Sequence, residues 1–187
     1  ALDANTVGDR SVAIGYLSLS SQNPSSNEDM YNTAVGHATM SATTTGTNNT
    51  AVGGVAMDKN TTGSNNTALG KGALEENTTG ESNTGVGKDA LEANTTGSNN
   101  TAVGRDALTT NSTGNNNTAC GMNALDANTT GLYNTACGYA ALTSQTTSTG
   151  NVGMGYEAGE NTTTGDYNVY IGYKAAFRGT TGYKNVC

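Results

Sequence analysis

The sequence is poor in the residues that build ordinary hydrophobic cores. It has no Trp, one Phe and one Pro, and hydrophobic residues fill only 34% of its 187 positions. Soluble globular domains usually carry about 45–50% apolar residues. A chain this polar cannot fill a broad core, so it is either disordered or builds a thin core that repeats along one axis.

Charged residues and long apolar runs are also scarce. Only 12% of the residues are charged and the net charge is −7. No basic stripe is present to neutralise phosphates, which argues against a nucleic-acid partner. No run approaches the ~18 consecutive apolar residues of a membrane-spanning helix, so we expect no membrane insertion in this segment.

Residues that commonly perform catalysis or bind metals are few. The single histidine, His37, has no partner constellation for general acid–base chemistry, and we expect it on the surface. The three cysteines, Cys120, Cys137 and Cys187, show no C-x-x-C spacing typical of metal sites. We therefore expect no enzyme, no metal site and no cofactor.

The sequence does contain one polar phrase that is repeated along the chain. "NTTGSNNTALG" ends at Gly70 and "NTTGSNNTAVG" ends at Gly104. The glycines that close these phrases are 21 residues apart once and 17 residues apart eight times. They are Gly15, Gly36, Gly53, Gly70, Gly87, Gly104, Gly121, Gly138, Gly155 and Gly172. This strict spacing favours an ordered repeat over disorder.

The repeat suggests how the chain is divided. We assign residues 1–187 to a single repeat domain of about ten coils, with an enlarged turn at 20–31 that contains Pro24. Residues 132–187 form an aromatic-rich part with diverged repeats. Because the chain begins and ends within a repeat, we expect it to be a fragment of a longer fibre.

Fixed positions of the repeat form columns. An asparagine lies four residues before every closing glycine except Gly15, which has Ser11 there, as in Asn49, Asn66, Asn83, Asn100, Asn117 and Asn134. An apolar residue precedes the glycine, as in Ile14, Val35, Val52, Leu69, Val86, Val103, Cys120, Cys137, Met154 and Ile171. A second apolar column follows it by four residues, as in Leu19, Met40, Met57, Leu74, Leu91, Leu108, Leu125 and Leu142. A second glycine column includes Gly63, Gly80 and Gly97.

A period below 20 residues is too short for helical hairpin repeats, which need about 33 or more. It fits one coil of an all-β parallel solenoid. "NTAVG" and "DAL" are bounded by Gly, Asn and Thr, so we predict two short strands per coil and glycines at positions that need positive φ. Coils would stack at ~4.8 Å, and the asparagine column would form a side-chain ladder along the axis.

The predicted strand is apolar on both sides. Val103 and Ala102 point in opposite directions, and a strand that is apolar on both faces is usually buried on both. We expect the Val103 column to pack on the coil's own Leu108 column and the small alanine column to contact another subunit. Each coil buries only about two large aliphatic side chains, and each of them contributes ~1.5–3 kcal/mol. This is small compared with the entropy cost of ordering a coil of 17 residues, so additional burial in a homo-oligomer is favoured.

The first copy, "RSVAIGYLSLS" from Arg10 to Ser20, resembles the head repeats of trimeric autotransporter adhesins, the YadA-like family. Similar Asn-Thr-Gly repeats occur in phage tail fibres. The resemblance covers the whole chain and implies a left-handed β-roll of three chains that serves as an adhesive or spacer, extracellular on a bacterial cell surface or virion. The 17-residue period, longer than the usual head repeat, and the cysteines leave cell adhesin and phage fibre both open.

Aromatic residues are concentrated near the end of the chain. Eight of the ten Tyr and Phe residues lie after residue 132. Tyr139, Tyr156 and Tyr173 share one column and predict an exposed stripe, since rings with hydroxyls suit contacts with a cell-surface glycan or protein receptor. Divergence of the repeats near a junction with another domain is the alternative interpretation.

Two other columns have alternative interpretations. Cys120 and Cys137 replace valine one coil apart, where we expect buried thiols that act as small hydrophobes, with a disulfide between coils or chains as the alternative. Asp58, Glu75, Glu92 and Asp126 share a column. A calcium ladder is the less favoured interpretation of it, because the glycine-aspartate nonapeptide of such rolls is missing.

The main functional hypothesis is a homotrimeric, non-enzymatic fibre segment that provides reach, stiffness and multivalent attachment. The alternative is an ice-binding solenoid, because threonines repeat near a water-lattice spacing. Those threonines are Thr50, Thr67, Thr84, Thr101, Thr118 and Thr135. They share a face with the valine column, which we expect to be buried, and this weighs against ice binding.

Overall fold

The structure is a computed structural model that describes residues 1–177 and 181–187. Residues 178–180, within the predicted aromatic-rich segment, lie outside the described residues. The described part contains ten strands of three residues each. They are β1 Val12–Ile14, β2 Thr33–Val35, β3 Thr50–Val52, β4 Thr67–Leu69, β5 Thr84–Val86, β6 Thr101–Val103, β7 Thr118–Cys120, β8 Thr135–Cys137, β9 Val152–Met154 and β10 Val169–Ile171.

The strands form one parallel ten-stranded sheet in chain order, β1 to β10. Equivalent residues of the repeat pair directly, so that Thr84 lies beside Thr101 and Val86 beside Val103. The described residues contain no helix, and so none that could cross a membrane. The protein is a parallel β-solenoid of about nine coils, which confirms the all-β solenoid predicted from the 17-residue period.

Each coil contains one strand, and the prediction of two is wrong. The "DAL" segment is a turn in which both Asp89 and Leu91 have a left-handed backbone, with φ of 56° each. Alternating left-handed residues bend the chain back within a few residues, which an extended strand cannot do. The coils still bond here, because the Leu74 N–H donates to the Ala90 carbonyl at 3.0 Å.

The core is a thin stack of leucines between alanines. Leu108 and Ala102 are fully buried, whereas Val103 is 39% exposed. The predicted orientation of the strand is therefore reversed: alanine points into its own coil and valine points out. The leucine side chain already fills most of the narrow interior, and only a small side chain fits opposite it. A second buried alanine column lies beside the leucines and comprises Ala56, Ala73, Ala90, Ala107, Ala124, Ala141 and Ala158.

The two glycine columns are needed for different reasons. The closing glycines have positive φ, as at Gly104 (138°), which confirms the prediction for this column. Gly97, in the second column, does not have positive φ. A Cβ there would lie 2.5 Å from the Gly114 carbonyl oxygen of the next coil, so this column is required by close backbone approach.

Two buried asparagine columns run along the rod. In the first, the Asn100 N–H donates to Asn83 Oδ1 at 3.0 Å, and Asn100 Nδ2 donates to the Gly114 carbonyl at 2.8 Å. In the second, the amides bond to each other directly: Asn94 Nδ2 donates to Asn77 Oδ1 at 2.7 Å. The first includes Asn49, Asn66, Asn83, Asn100, Asn117 and Asn134, and the second comprises Asn60, Asn77, Asn94, Asn111 and Asn128. Sequence reasoning had singled out only the first.

The enlarged turn at 20–31 packs against the first coil. The Met30 N–H donates to the Asp9 carbonyl at 3.0 Å, and the Met30 side chain is fully buried. Pro24 is buried as well. The longer interval between β1 and β2 therefore adds a local extension to the end of the rod without changing the register of the sheet.

Candidate functional site

The outward side of the sheet carries two parallel columns, and we call this surface the outer strand face. Its first column is formed by the threonines that begin most strands, and all of those from Thr50 to Thr135 are half-buried or exposed. Its second column, which we call the aliphatic column, is the last residue of each strand: Ile, Val or Leu in seven strands, and Cys or Met in β7 to β9. In that column Ile14 is 59%, Leu69 39% and Ile171 60% exposed. Apolar side chains therefore line one side of the rod from its first strand to its last.

The exposure of this face corrects two expectations. The valine column does not pack on the leucine column of its own coil, and the threonine column beside it is not buried. The alanine column, expected at a subunit contact, is covered by its own chain: Ala68, Ala102 and Ala119 are all fully buried. The outward surface of the sheet is therefore formed by the threonine and aliphatic columns, and the alanines are not part of it.

Cys120 and Cys137 also lie on the outer strand face. Both are exposed, and neither they nor the exposed Cys187 is in a disulfide. The expectation of buried thiols is wrong because it rested on the inward orientation of the valine column. Cys120 and Cys137 are direct partners in the pairing of β7 with β8.

The residue after each closing glycine forms a second surface feature, which we call the post-glycine column. Tyr139, Tyr156 and Tyr173 lie in it, 39%, 44% and 75% exposed. Their rings stack, with centroids 5.1 Å apart for the first pair and 5.4 Å for the second. The rings cover each other's faces along the rod and leave their edges and hydroxyls at the surface.

Lys174 holds the end of this tyrosine stack. Its Nζ lies 2.9 Å from Glu157 Oε2 and 5.7 Å from the Tyr173 ring centroid. Hydrogen bonds from Tyr156 and then Lys174 lower the pKa of the Glu157 carboxyl. The bond to Glu157 in turn raises the pKa of Tyr156. Tyr156 therefore remains a neutral hydrogen-bonding group at physiological pH.

The same column is different in its earlier coils. Near the start, Tyr16 stacks on His37 with ring centroids 5.6 Å apart. His37 is exposed, in agreement with its predicted surface position. In the middle the column is cationic: Lys88 pairs with Asp89, and Arg105 Nε lies 3.0 Å from Asp106. The post-glycine column thus has a basic middle and aromatic ends.

The residues of the acidic column each directly follow a buried Leu or Met of the core. Partial burial, and then the neighbouring Glu92 carboxylate, raise the pKa of Glu75. Burial is also the main reason that the pKa values of Glu92 and Asp126 are raised. Among residues 1–177 and 181–187, no cluster of three or more His, Cys, Asp or Glu side chains could hold a metal ion.

The part of the chain that the structure describes contains no pocket. The features above therefore lie on open surfaces along the rod. No family model, curated protein or solved structure matches this chain. The fold by itself defines the class, a β-solenoid repeat protein.

Proposed function

We propose that this protein is a non-enzymatic segment of a homotrimeric fibre, the shaft or head of a surface adhesin or of a phage tail fibre. It acts as a rigid spacer and as a multivalent attachment surface, outside the cell on a bacterial surface or virion. The aliphatic column of the outer strand face carries this proposal. Val52, Leu69 and Val103, in consecutive or nearby coils, are each 39% exposed in the single chain.

The length of that column favours association with further copies of the chain. Monomeric proteins rarely expose large contiguous apolar patches, and such patches commonly mark interaction sites. A column that repeats once per coil matches another chain of the same period, coil by coil. Packing three copies around one axis would bury it along the whole rod.

The tyrosine stack supplies the proposed contact with a receptor. Tyr139, Tyr156 and Tyr173 present hydroxyl-bearing edges, which suit hydrogen bonds to a cell-surface glycan or a protein. The faces of the stacked rings are largely covered, so the contact would use the edges. Three chains would display three such stripes, and simultaneous weak contacts would add avidity.

Sedimentation of a matched pair of variants tests the trimer. The wild-type chain is expected at the mass of three chains. Val103→Asp places a charge on the outer strand face and is expected to dissociate the trimer while the β spectrum is retained. Ala102→Asp buries a charge inside the coil and is expected to unfold the protein, because an unpaired buried charge is strongly unfavourable.

The result that would contradict the trimer is a wild-type mass of one chain with a folded β spectrum. Thr96→Asp is the control for added charge, because Thr96 is exposed on a turn away from the strands. It is expected to leave the mass unchanged.

Ice binding is the second candidate, and the exposed threonine column favours it. Thr67, Thr84 and Thr101 align in register on the outer strand face, next to the aliphatic column. Stacked coils place them ~4.8 Å apart. Strong thermal hysteresis from a monomeric chain would support ice binding, whereas a trimer that covers this face and shows no hysteresis would reject it.

A further inference from the structure

Three sulfur-containing residues follow one another along the aliphatic column. Cys120 pairs in register with Cys137, and Cys137 pairs with Met154, at the last positions of β7, β8 and β9. All three are exposed, Met154 by 45%. Each of these residues is 17 positions from the next. This spacing matches no metal-binding sequence motif, but the solenoid brings the three residues together.

Stacking disfavours a disulfide between the two thiols. Equivalent residues of successive coils project in the same direction, so their Cβ atoms have about the same spacing as the coils, ~4.8 Å. Disulfides need Cβ atoms about 3.5–4.5 Å apart. Both cysteines are free in this structure, in keeping with that geometry.

We propose that Cys120 and Cys137 bind one soft monovalent metal ion, of the copper(I) type, between their sulfur atoms, with Met154 as an additional thioether donor. Two parallel side chains place their sulfurs about one coil spacing apart, ~4.8 Å. Two metal–thiolate bonds of about 2.3 Å, the length known for zinc, span ~4.6 Å. The two lengths agree without movement of the backbone.

The donor set selects the class of metal. Thiolate and thioether ligands favour soft ions such as copper(I) over magnesium, calcium or manganese, which prefer oxygen ligands. Zinc sites are usually closed by four ligands, and this face offers two thiolates and one thioether. Binding releases the two thiol protons to solvent and transfers no electrons, because the ion enters and remains monovalent.

Titration with copper(I) under anaerobic conditions, in competition with a chromogenic copper(I) chelator, tests the proposal. One ion per chain is expected, checked by native mass spectrometry, with release of protons on binding. The three sulfur atoms lie in the column that the proposed trimer would bury, so the titration is also made on Val103→Asp, the variant expected to be a single chain. One ion per chain is expected there whether or not the wild type is a trimer. Silver(I), which does not change oxidation state, should bind with the same stoichiometry.

Three variants locate the site. Loss of groups that only support the metal ligands typically lowers metal affinity about 10–100-fold. Cys120→Ser and Cys137→Ser each remove a ligand itself, so each is expected to lower the copper affinity at least about tenfold. Cys187→Ser removes an exposed thiol elsewhere and is the matched control, expected to have no effect. Met154→Leu keeps the volume and is expected to weaken binding less than either cysteine variant.

Two results would overturn the proposal. One is a purified wild-type chain that is two hydrogens short in mass and has one titratable thiol, together with a Cys120→Ser variant that has its full mass and two titratable thiols, since this means that Cys120 forms a disulfide. The other is equal copper affinity in the wild type and both single-cysteine variants, which would mean non-specific binding.

Discussion

The middle coils and the last coils of the solenoid solve the same packing problem with different residues. In the middle, Leu91 fills the interior and Ala102, eleven residues later, occupies the small position opposite it, both fully buried. Near the end, the leucine position is Gly159 and the alanine position is Tyr170, which is 2% exposed. The large and small residues have changed places, so the interior maintains its total volume rather than the identity at each position.

The exchange is tight. A Cβ on Gly159 would lie 2.5 Å from Tyr170 Cδ2 and 2.6 Å from Leu142 Cδ2. The φ of Gly159 is 64°, close to the 53° of Leu142 in the preceding coil. The backbone at this position is therefore the one that leucine adopts elsewhere, and the side chains of Tyr170 and Leu142 prevent a larger residue.

The asparagine ladder also changes between the two regions. From Asn60 to Asn128 the amides of the second column bond to one another. Gln145 continues the column, but within the described part of the chain its buried Nε2 and Oε1, like Asn128 Oδ1, have no hydrogen-bond partner. The extra methylene of glutamine displaces its amide from the line of the ladder, so the ladder ends there.

The largest expected effect comes from breaking the exchange at the end of the rod. Tyr170→Ala should lower the free energy of unfolding by about 3–5 kcal/mol, since it leaves a large cavity beside Gly159. Gly159→Leu alone should cost about 1–3 kcal/mol through overpacking. The double variant restores the pattern of the middle coils and should recover much of both losses, as measured by chemical denaturation.

The control for this cycle is Tyr173→Ala, which removes a tyrosine that is 75% exposed. It is expected to change stability little. Strict additivity of Tyr170→Ala and Gly159→Leu would contradict the exchange of volume, because contacting residues that compensate each other show coupling of about 0.5–3 kcal/mol.

The next largest effect is expected from a substitution that interrupts the asparagine ladder of the middle coils. Asn94 donates to Asn77 Oδ1 at 2.7 Å and to the Gly97 carbonyl at 3.0 Å, and it accepts from Asn111 Nδ2 at 2.9 Å. Asn94→Ala leaves buried polar groups unpaired and should lower stability by about 2–3 kcal/mol in a denaturant titration. The exposed Thr96 is the matched position, and a loss as large in Thr96→Ala would disprove the role of the ladder.

A smaller effect, of opposite sign, comes from extending the ladder. Gln145→Asn shortens the side chain to the length used in the middle coils and should pair with the free Asn128 Oδ1. We expect a gain of about 1 kcal/mol by the same measurement. In an Asn128→Ala background this gain should disappear. If it persists there, the ladder is not its source.

The smallest expected effect concerns the acidic column of the middle coils. The pKa of Glu75 is raised above its ordinary value of 4.5, so the folded protein holds a proton there more tightly than the unfolded chain. The resulting stabilisation is present below the ordinary pKa and is lost as the pH rises through the folded value. Glu75→Gln should therefore raise the melting temperature at neutral pH more than at acidic pH.

The neighbouring Glu76 is the control for this substitution. It pairs with Lys59 at 3.1 Å on the surface, so Glu76→Gln is expected to lower the neutral-pH melting temperature slightly or leave it unchanged. A Glu75→Gln difference that is the same at both pH values would contradict the linkage to the Glu75 proton.

Much of the fold could be predicted from the spacing of a few residue types. The closing glycines, such as Gly104, have positive φ, and the Leu108 column is buried, as expected. The turn that stands in place of the predicted second strand was not predictable in the same way. Leucine in a left-handed conformation at Leu91 runs against local preference, and tertiary packing of the side chain outweighs the strain.

The candidate site was only partly predictable. The tyrosine stack followed from a shared column, because stacked coils place Tyr139 over Tyr156. The exposure of Cys120 did not follow, since it depends on which side of the strand points outward. Because the strand carries apolar residues on both of its faces, the sequence offered no basis for deciding which face points outward.

The sequence by itself determined a stack of 17-residue coils, since an equal interval places equal residues above one another and the pairing of parallel strands rewards that alignment. The tertiary structure alone decided which face is the core. Leu108 and Ala102 together fit the narrow interior, and a leucine facing Val103 would exceed its volume, so valine points outward.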